Sequence, residues 1–129
     1  MFLRNKLEIK NYLNNVIQSD VNYSENLVKA IGGTSTSIGA IDLKLKVYDD
    51  KIVDGHVVDK EKLQKMEDFL YALQPKDISN TFAVDSKRSE IIAGGVSIML
   101  RVFEAFNFSK ITISECDNLE GYIKYKELL

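Results

Sequence analysis

The 129-residue sequence has one cysteine, one histidine, one proline and no tryptophan. Cys116 alone cannot close an internal disulfide, and with His56 as the only histidine no Cys/His zinc site can be assembled, so no metal site is expected. One proline and seven glycines are too few for a linker-rich or disordered chain. No charge of one sign dominates either, since 17 Lys+Arg stand against 19 Asp+Glu, a formal net charge of −2. A general nucleic-acid or anionic-membrane binder needs a basic face, so neither partner is expected. No apolar run approaches the roughly 18 residues of a membrane-spanning helix. Met1-Phe2-Leu3-Arg4-Asn5-Lys6 meets charge too soon for a signal-peptide core. The expectation is a cytoplasmic chain.

What is present is an ordinary globular mix, 45% hydrophobic and 28% charged, in a length that fits one domain or less. Phe2, Ile9, Leu13, Val16 and Ile17 share a stripe and predict a helix over 2–18, with a polar loop over 19–26. Leu27-Val28-Lys29-Ala30-Ile31 is short, mostly apolar and ends at Gly32-Gly33, the pattern of a buried strand. Thr34-Ser35-Thr36-Ser37 predicts a helix start whose hydroxyls accept the unpaired first-turn amides, the helix ending near Leu45. Residues 46–58 read as a long connection that turns at Gly55 and has room for a short extended piece.

Asp59 has the place of an N-cap, and Leu63, Met66, Leu70 and Leu73 recur at helical spacing until Pro75 stops the helix. They are core, not a cofactor box. Asp85 or Ser86 caps the next helix, which carries Ile91, Ile92, Val96, Ile98, Leu100, Phe103 and Phe106 and is expected to be the most buried. Gly94-Gly95 inside it costs about 1 kcal/mol per glycine relative to alanine, which implies a very close approach to another backbone. Lys110–Ser114 alternates as a second strand, and 118–128 closes the chain as a helix.

Two strands separated by mainly helical chain would be parallel neighbours through a crossover, and two such strands alone make a poor sheet. The chain is therefore read as an incomplete unit, whose missing strands lie upstream in a longer protein or come from a partner chain. The alternative is a helical core that tolerates a two-stranded sheet.

Three blocks carry a family resemblance. Gly32-Gly33-Thr34-Ser35-Thr36 is similar to the Gly-Gly-Thr-x-Thr of the exopolyphosphatase/guanosine pentaphosphate phosphatase (Ppx/GppA) family. Tyr48-Asp49 and Val53-Asp54-Gly55-His56-Val57 resemble the linker that follows it, with His and Gly transposed. Arg88-x-Glu90-x-Ile92-x-x-Gly95 resembles the opening of the family's long buried helix. Ile111-Thr112-Ile113-Ser114-Glu115, then Glu120-Gly121, resemble a strand end and a last helix. Leu119 stands where the family usually has Arg before Glu-Gly.

The resemblance implies an α/β chain, part of a ribonuclease-H-like (actin-like ATPase) half-domain, ordered helix-strand-helix-helix-helix-strand-helix with few strands. It places residues 1–129 as one partial C-terminal domain, the later part of the second of two halves that flank a cleft. The family hydrolyses terminal phosphate from polyphosphate or guanosine pentaphosphate, with two phosphate loops, a carboxylate acting on water, and Mg2+ bridging phosphate oxygens. Neither loop is found here, no residue matches the catalytic glutamate, and the chain alone is expected to be inactive and to bind no cofactor.

Residues implied to line the nucleotide or phosphate cleft are Gly32, Gly33, Thr34, Ser35 and Glu115. For the glycines, the plainer reading is a tight strand-to-helix turn; for Glu115, it is a solvated loop carboxylate. Arg88 and Glu90 are read as a structural ion pair that positions the buried helix, ahead of ligand contact. Metal binding by His56 is not expected, and Cys116 is read as packing rather than nucleophile. The functional expectation is a C-terminal phosphatase domain that forms one wall of the cleft, its partner the missing N-terminal domain. The other readings are a stand-alone, non-catalytic module for regulation or oligomerisation, such as a homodimer formed through an open strand edge, and an unrelated small α/β domain.

Overall fold

A computed structural model describes residues 2–17, 27–116 and 118–128. In chain order the elements are α1 (Phe2–Val16), β1 (Lys29–Ala30), α2 (Gly33–Asp42), α3 (Asp50–Val53), β2 (Val57–Asp59) and α4 (Lys60–Tyr71). They continue with α5 (Pro75–Thr81), α6 (Ser86–Ser89), α7 (Ile92–Phe106), β3 (Lys110–Ile113) and α8 (Asn118–Glu127). The polar segment 19–26, read from sequence as a loop, falls outside the described residues.

Alternation organises the sheet. Ile111 and Ile113 of β3 and Val58 of β2 point inward and are buried, whereas Lys110 and Val57 face out. The strand order is β1-β3-β2. β1 lies parallel to β3, with Lys29 opposite Thr112 and Ala30 opposite Ile113, as the two-strand reading anticipated. β2 runs antiparallel on the other side, Val58 opposite Ile111. This third strand is the short extended piece for which 46–58 had room, and it corrects the expected two-stranded sheet to three strands. That segment also contains α3, whose N-cap Asp49 accepts from the Lys51 amide at 3.0 Å. Elements of three and four residues are too short for periodicity to register.

The expected burial of Leu27–Ile31 is corrected as well. Only Ala30 is buried, while Leu27 is 75% and Ile31 49% exposed, because β1 stands at the sheet edge. The helices cover the inner face. Ile92, Val96, Leu100 and Phe103 of α7 form one buried stripe against Leu63, Met66 and Leu70 of α4. Ile91 and Ile98 lie on the opposite face and are exposed, so α7 is buried on one side rather than all round.

Two helix boundaries also differ from the sequence reading. Pro75 opens α5 at its first position, where the missing N–H costs nothing, instead of simply ending α4 at Tyr71. The helix expected from residue 86 is divided. Asp85 caps α6 by accepting the Arg88 amide at 2.9 Å, and the chain re-enters helix at Ile92.

One buried carboxylate ties three helices together. Glu67 of α4 is 5% exposed, receives Lys6 Nζ of α1 at 2.8 Å, and has Arg101 of α7 at 4.0 Å. Burial alone would raise its pKa. The Lys6 ammonium, the Ser97 hydroxyl and the Arg101 guanidinium outweigh that and hold it below the ordinary glutamate value.

Candidate functional site

The Gly32-Gly33 turn leads from β1 into α2. Gly32 has φ 95°, a left-handed conformation that glycine adopts without a Cβ penalty, and a Cβ placed there would meet nothing within 4 Å. Gly32 is also the N-cap residue, so it brings no side-chain oxygen to the first-turn amides.

The hydroxyls do not cap these amides either, contrary to the sequence expectation. Ser35 Oγ donates to the Ile31 carbonyl at 3.2 Å, Thr36 Oγ1 to Gly33 O at 3.2 Å and Ser37 Oγ to Gly33 O at 2.8 Å. Lying inside the first turns, they bond backward to carbonyls rather than forward to amides.

Arg88 lies over this turn. A Cβ built on Gly33 would sit 2.6 Å from Arg88 Cζ, so only a residue without one lets the guanidinium lie against the backbone. Among the described residues no ion pair joins Arg88 to Glu90, the pairing read from sequence. The Arg88 charge lies instead at the positive end of the α2 dipole. Two positive features brought together in this way favour an anion between or beside them.

A cleft of about 600 Å³ opens next to the turn, lined by Thr36, Ser37, Tyr48, Asp85, Arg88 and Glu115 among others. Glu115 is therefore placed at the cleft, held by its amide donating to Asp54 Oδ1 at 3.0 Å. Gly32, Gly33, Thr34 and Ser35 are not among the lining residues. Ser35 is buried, and Thr34 packs on α7, where a Cβ on Gly95 would stand 2.7 Å from Thr34 Cγ2. The close approach expected of the glycine pair thus belongs to Gly95 alone and is made to a side chain; Gly94 has nothing within 4 Å. Thr36, Ser37 and Asp85, which also line this opening, were not among the residues singled out from sequence as cleft-lining. For Thr36 the signal lay in helical spacing, which turns position 36 away from Thr34.

The remaining candidates lie elsewhere. His56 Nε2 and Asp42 Oδ2 share a hydrogen bond of 2.6 Å, a pairing the loop reading of His56 did not contain. Cys116 is half-buried, and Lys124 Nζ donates to its Sγ at 3.3 Å, a contact that holds the Lys124 pKa above its ordinary value. Among the described residues no three His, Cys, Asp or Glu side chains converge. These residues therefore do not by themselves fit a protein-held Mg2+. No helix among the described residues is long and apolar enough to cross a membrane.

The crystal structure of the Aquifex aeolicus Ppx/GppA family member superposes with a TM-score of 0.86 at 23% identity, over 97% of this chain and 40% of that one. The type II crystal variant of the Aquifex aeolicus Ppx/GppA phosphatase gives 0.84 at 23% identity, over 98% and 40%. A bifunctional 3-dehydroquinate synthase/phosphatase from Fusobacterium nucleatum is 31% identical over 94 residues, 72% of this chain and 14% of that protein. The chain thus has the α/β fold of one region of the actin-like phosphatases and spans well under half the length of these relatives. With the profile of the Ppx/GppA phosphatase family matching residues 2–129, the chain belongs to the Ppx/GppA phosphatase family.

Proposed function

We propose that residues 1–129 act as a C-terminal phosphatase domain that forms one wall of a phosphate-binding cleft, the other wall being a missing N-terminal domain. The substrate class is the phosphoanhydride of polyphosphate or of a guanosine nucleotide, and the setting is the cytoplasm. The observation that carries this reading is the cation at the helix start. Arg88 rests on Gly33, where the α2 amides already favour negative charge and no side-chain oxygen caps them. That arrangement lowers its free energy when a phosphate oxygen arrives. In this reading the chain's residues bind and orient. The α2 turn and Arg88 hold the anion, while Thr36, Ser37 and Glu115 shape the cleft behind it.

Hydrolysis needs a positioned water and charge neutralisation on the leaving phosphate. Mg2+ would supply the latter in the complete enzyme, held by groups this chain does not contribute. The test is release of inorganic phosphate from polyphosphate and from guanosine pentaphosphate in the presence of magnesium. The chain alone should release none. Joined to the earlier part of a family member it should release phosphate, and Arg88→Ala in the joined protein should slow it at least tenfold. Activity of the chain alone, or indifference to Arg88→Ala, would overturn the proposal.

A second reading, self-association, is favoured by the exposed Leu27 and Ile31 at the β1 edge. Light scattering that finds only monomer at high concentration would exclude it.

A further inference from the structure

A second cavity of about 430 Å³ lies between the end of α2 and the outer face of α4. Its floor is apolar, made by Ile41, Met66, Phe69 and Phe82, and the two phenylalanine rings meet edge to face at 6.0 Å. Lys44, Lys62 and Lys65 also line it. The acid among its lining residues, Asp42, is engaged by His56 at 2.6 Å and by Lys62 at 3.6 Å. Lys65 shares its charge with exposed Glu61 at 2.8 Å. Three lysines thus border the apolar floor against one lining acid, on a chain whose formal net charge is −2.

Lys44 adds an observation from the backbone. Its amide donates to Ile41 O at 3.0 Å and the Leu45 amide to Ala40 O at 2.9 Å, the paired bonds that close a helix C-terminus. Lys44 itself takes φ 55°, the left-handed position that glycine fills without strain. A lysine there accepts backbone strain and keeps a charge at the mouth of the cavity. Strain retained beside a cavity is a reason to look for a ligand.

We propose that this cavity binds a small organic anion with a flat apolar body and a phosphate group. The body would stack on Phe69 and Phe82, and the phosphate would be met by Lys44 with Lys62 and Lys65. Apolar walls with a few convergent charged groups are what a small-molecule site of this size requires, and charge complementarity selects the anion. The site is separate from the phosphate cleft and does not rest on the phosphatase reading, although Phe82 lines both cavities.

The probe is 1-naphthyl phosphate, titrated into the full chain and followed by amide chemical shifts. Saturable shifts are expected over Asp42–Leu45, the outer face of α4 and Phe82, with inorganic phosphate and neutral 1-naphthalenemethanol each binding at least tenfold more weakly. Phe69→Ala, at a half-exposed position, should weaken binding at least fivefold. Lys44→Gly should do the same while raising the melting temperature, because glycine relieves the left-handed strain. Absence of saturable shifts, equal binding of the neutral analogue, or unaltered affinity in Lys44→Gly would overturn the proposal.

Discussion

The inner face of the sheet and the outer rim use similar residues in opposite ways. Leu63, Phe103 and Ile111, on α4, α7 and β3, are at most 1% exposed. On α8, Leu119 is 67%, Tyr122 58% and Ile123 49% exposed, and at the β1 edge Leu27 stands almost free of cover. The inner face is a finished core that supplies the stability of the chain. The rim leaves large apolar side chains exposed, in a chain that spans 40% of its solved relatives.

Substitutions can break that comparison or sharpen it. Phe103→Ala should cost about 3–5 kcal/mol, the range for emptying a fully buried ring site, read by urea unfolding. Gly95→Ala should cost about 1–3 kcal/mol through overpacking, because its methyl group would meet Thr34 and press on the Gly32-Gly33 turn. A smaller, pH-dependent effect is expected at Glu67. Its pKa is held below the ordinary value in the folded state, so its contribution is full above the unfolded pKa and is lost as pH falls through the folded one. Stability measured between about pH 5 and 3 should therefore drop more steeply in the wild type than in Glu67→Gln. Gly94→Ala should stabilise by about 0.5–1 kcal/mol, the opposite sign to its neighbour, since nothing lies within 4 Å. Tyr122→Ser and Ile123→Ser on α8 should change the stability of the chain alone by no more than about 0.5 kcal/mol. A cost like that of Phe103→Ala would erase the distinction between core and rim.

Much of this was legible in the sequence. The helical stripe from Leu63 to Leu70, the alternation of Ile111 and Ile113, the Asp59 cap and the parallel pairing of β1 with β3 follow from periodicity and topology. What was not legible depends on contacts distant in sequence or on very short elements. β2 buries only Val58 of its three residues, and its strand character comes from pairing with β3. Arg88 lies within two residues of Glu90, which makes a local ion pair the natural reading, yet its guanidinium reaches back across more than fifty positions to Gly33. The hydroxyls of residues 35–37 suited a cap by composition, and the glycine at the N-cap position removed that role from them. Leu27 and Ile31 read as buried from their apolarity alone, although the open strand edge also raised from the sequence implied exposure; among the described residues β1 stands at that edge.

Hydrogen exchange of the chain alone and of the chain joined to the earlier part of a family member tests most directly whether the rim is an unfinished interface. Fast exchange is expected at Lys29–Ala30 and along α8 in the chain alone. Exchange there should slow strongly on joining, while α4 and α7 stay protected in both. Full protection of β1 and α8 in the monomeric chain alone, unchanged by the added half, would contradict it.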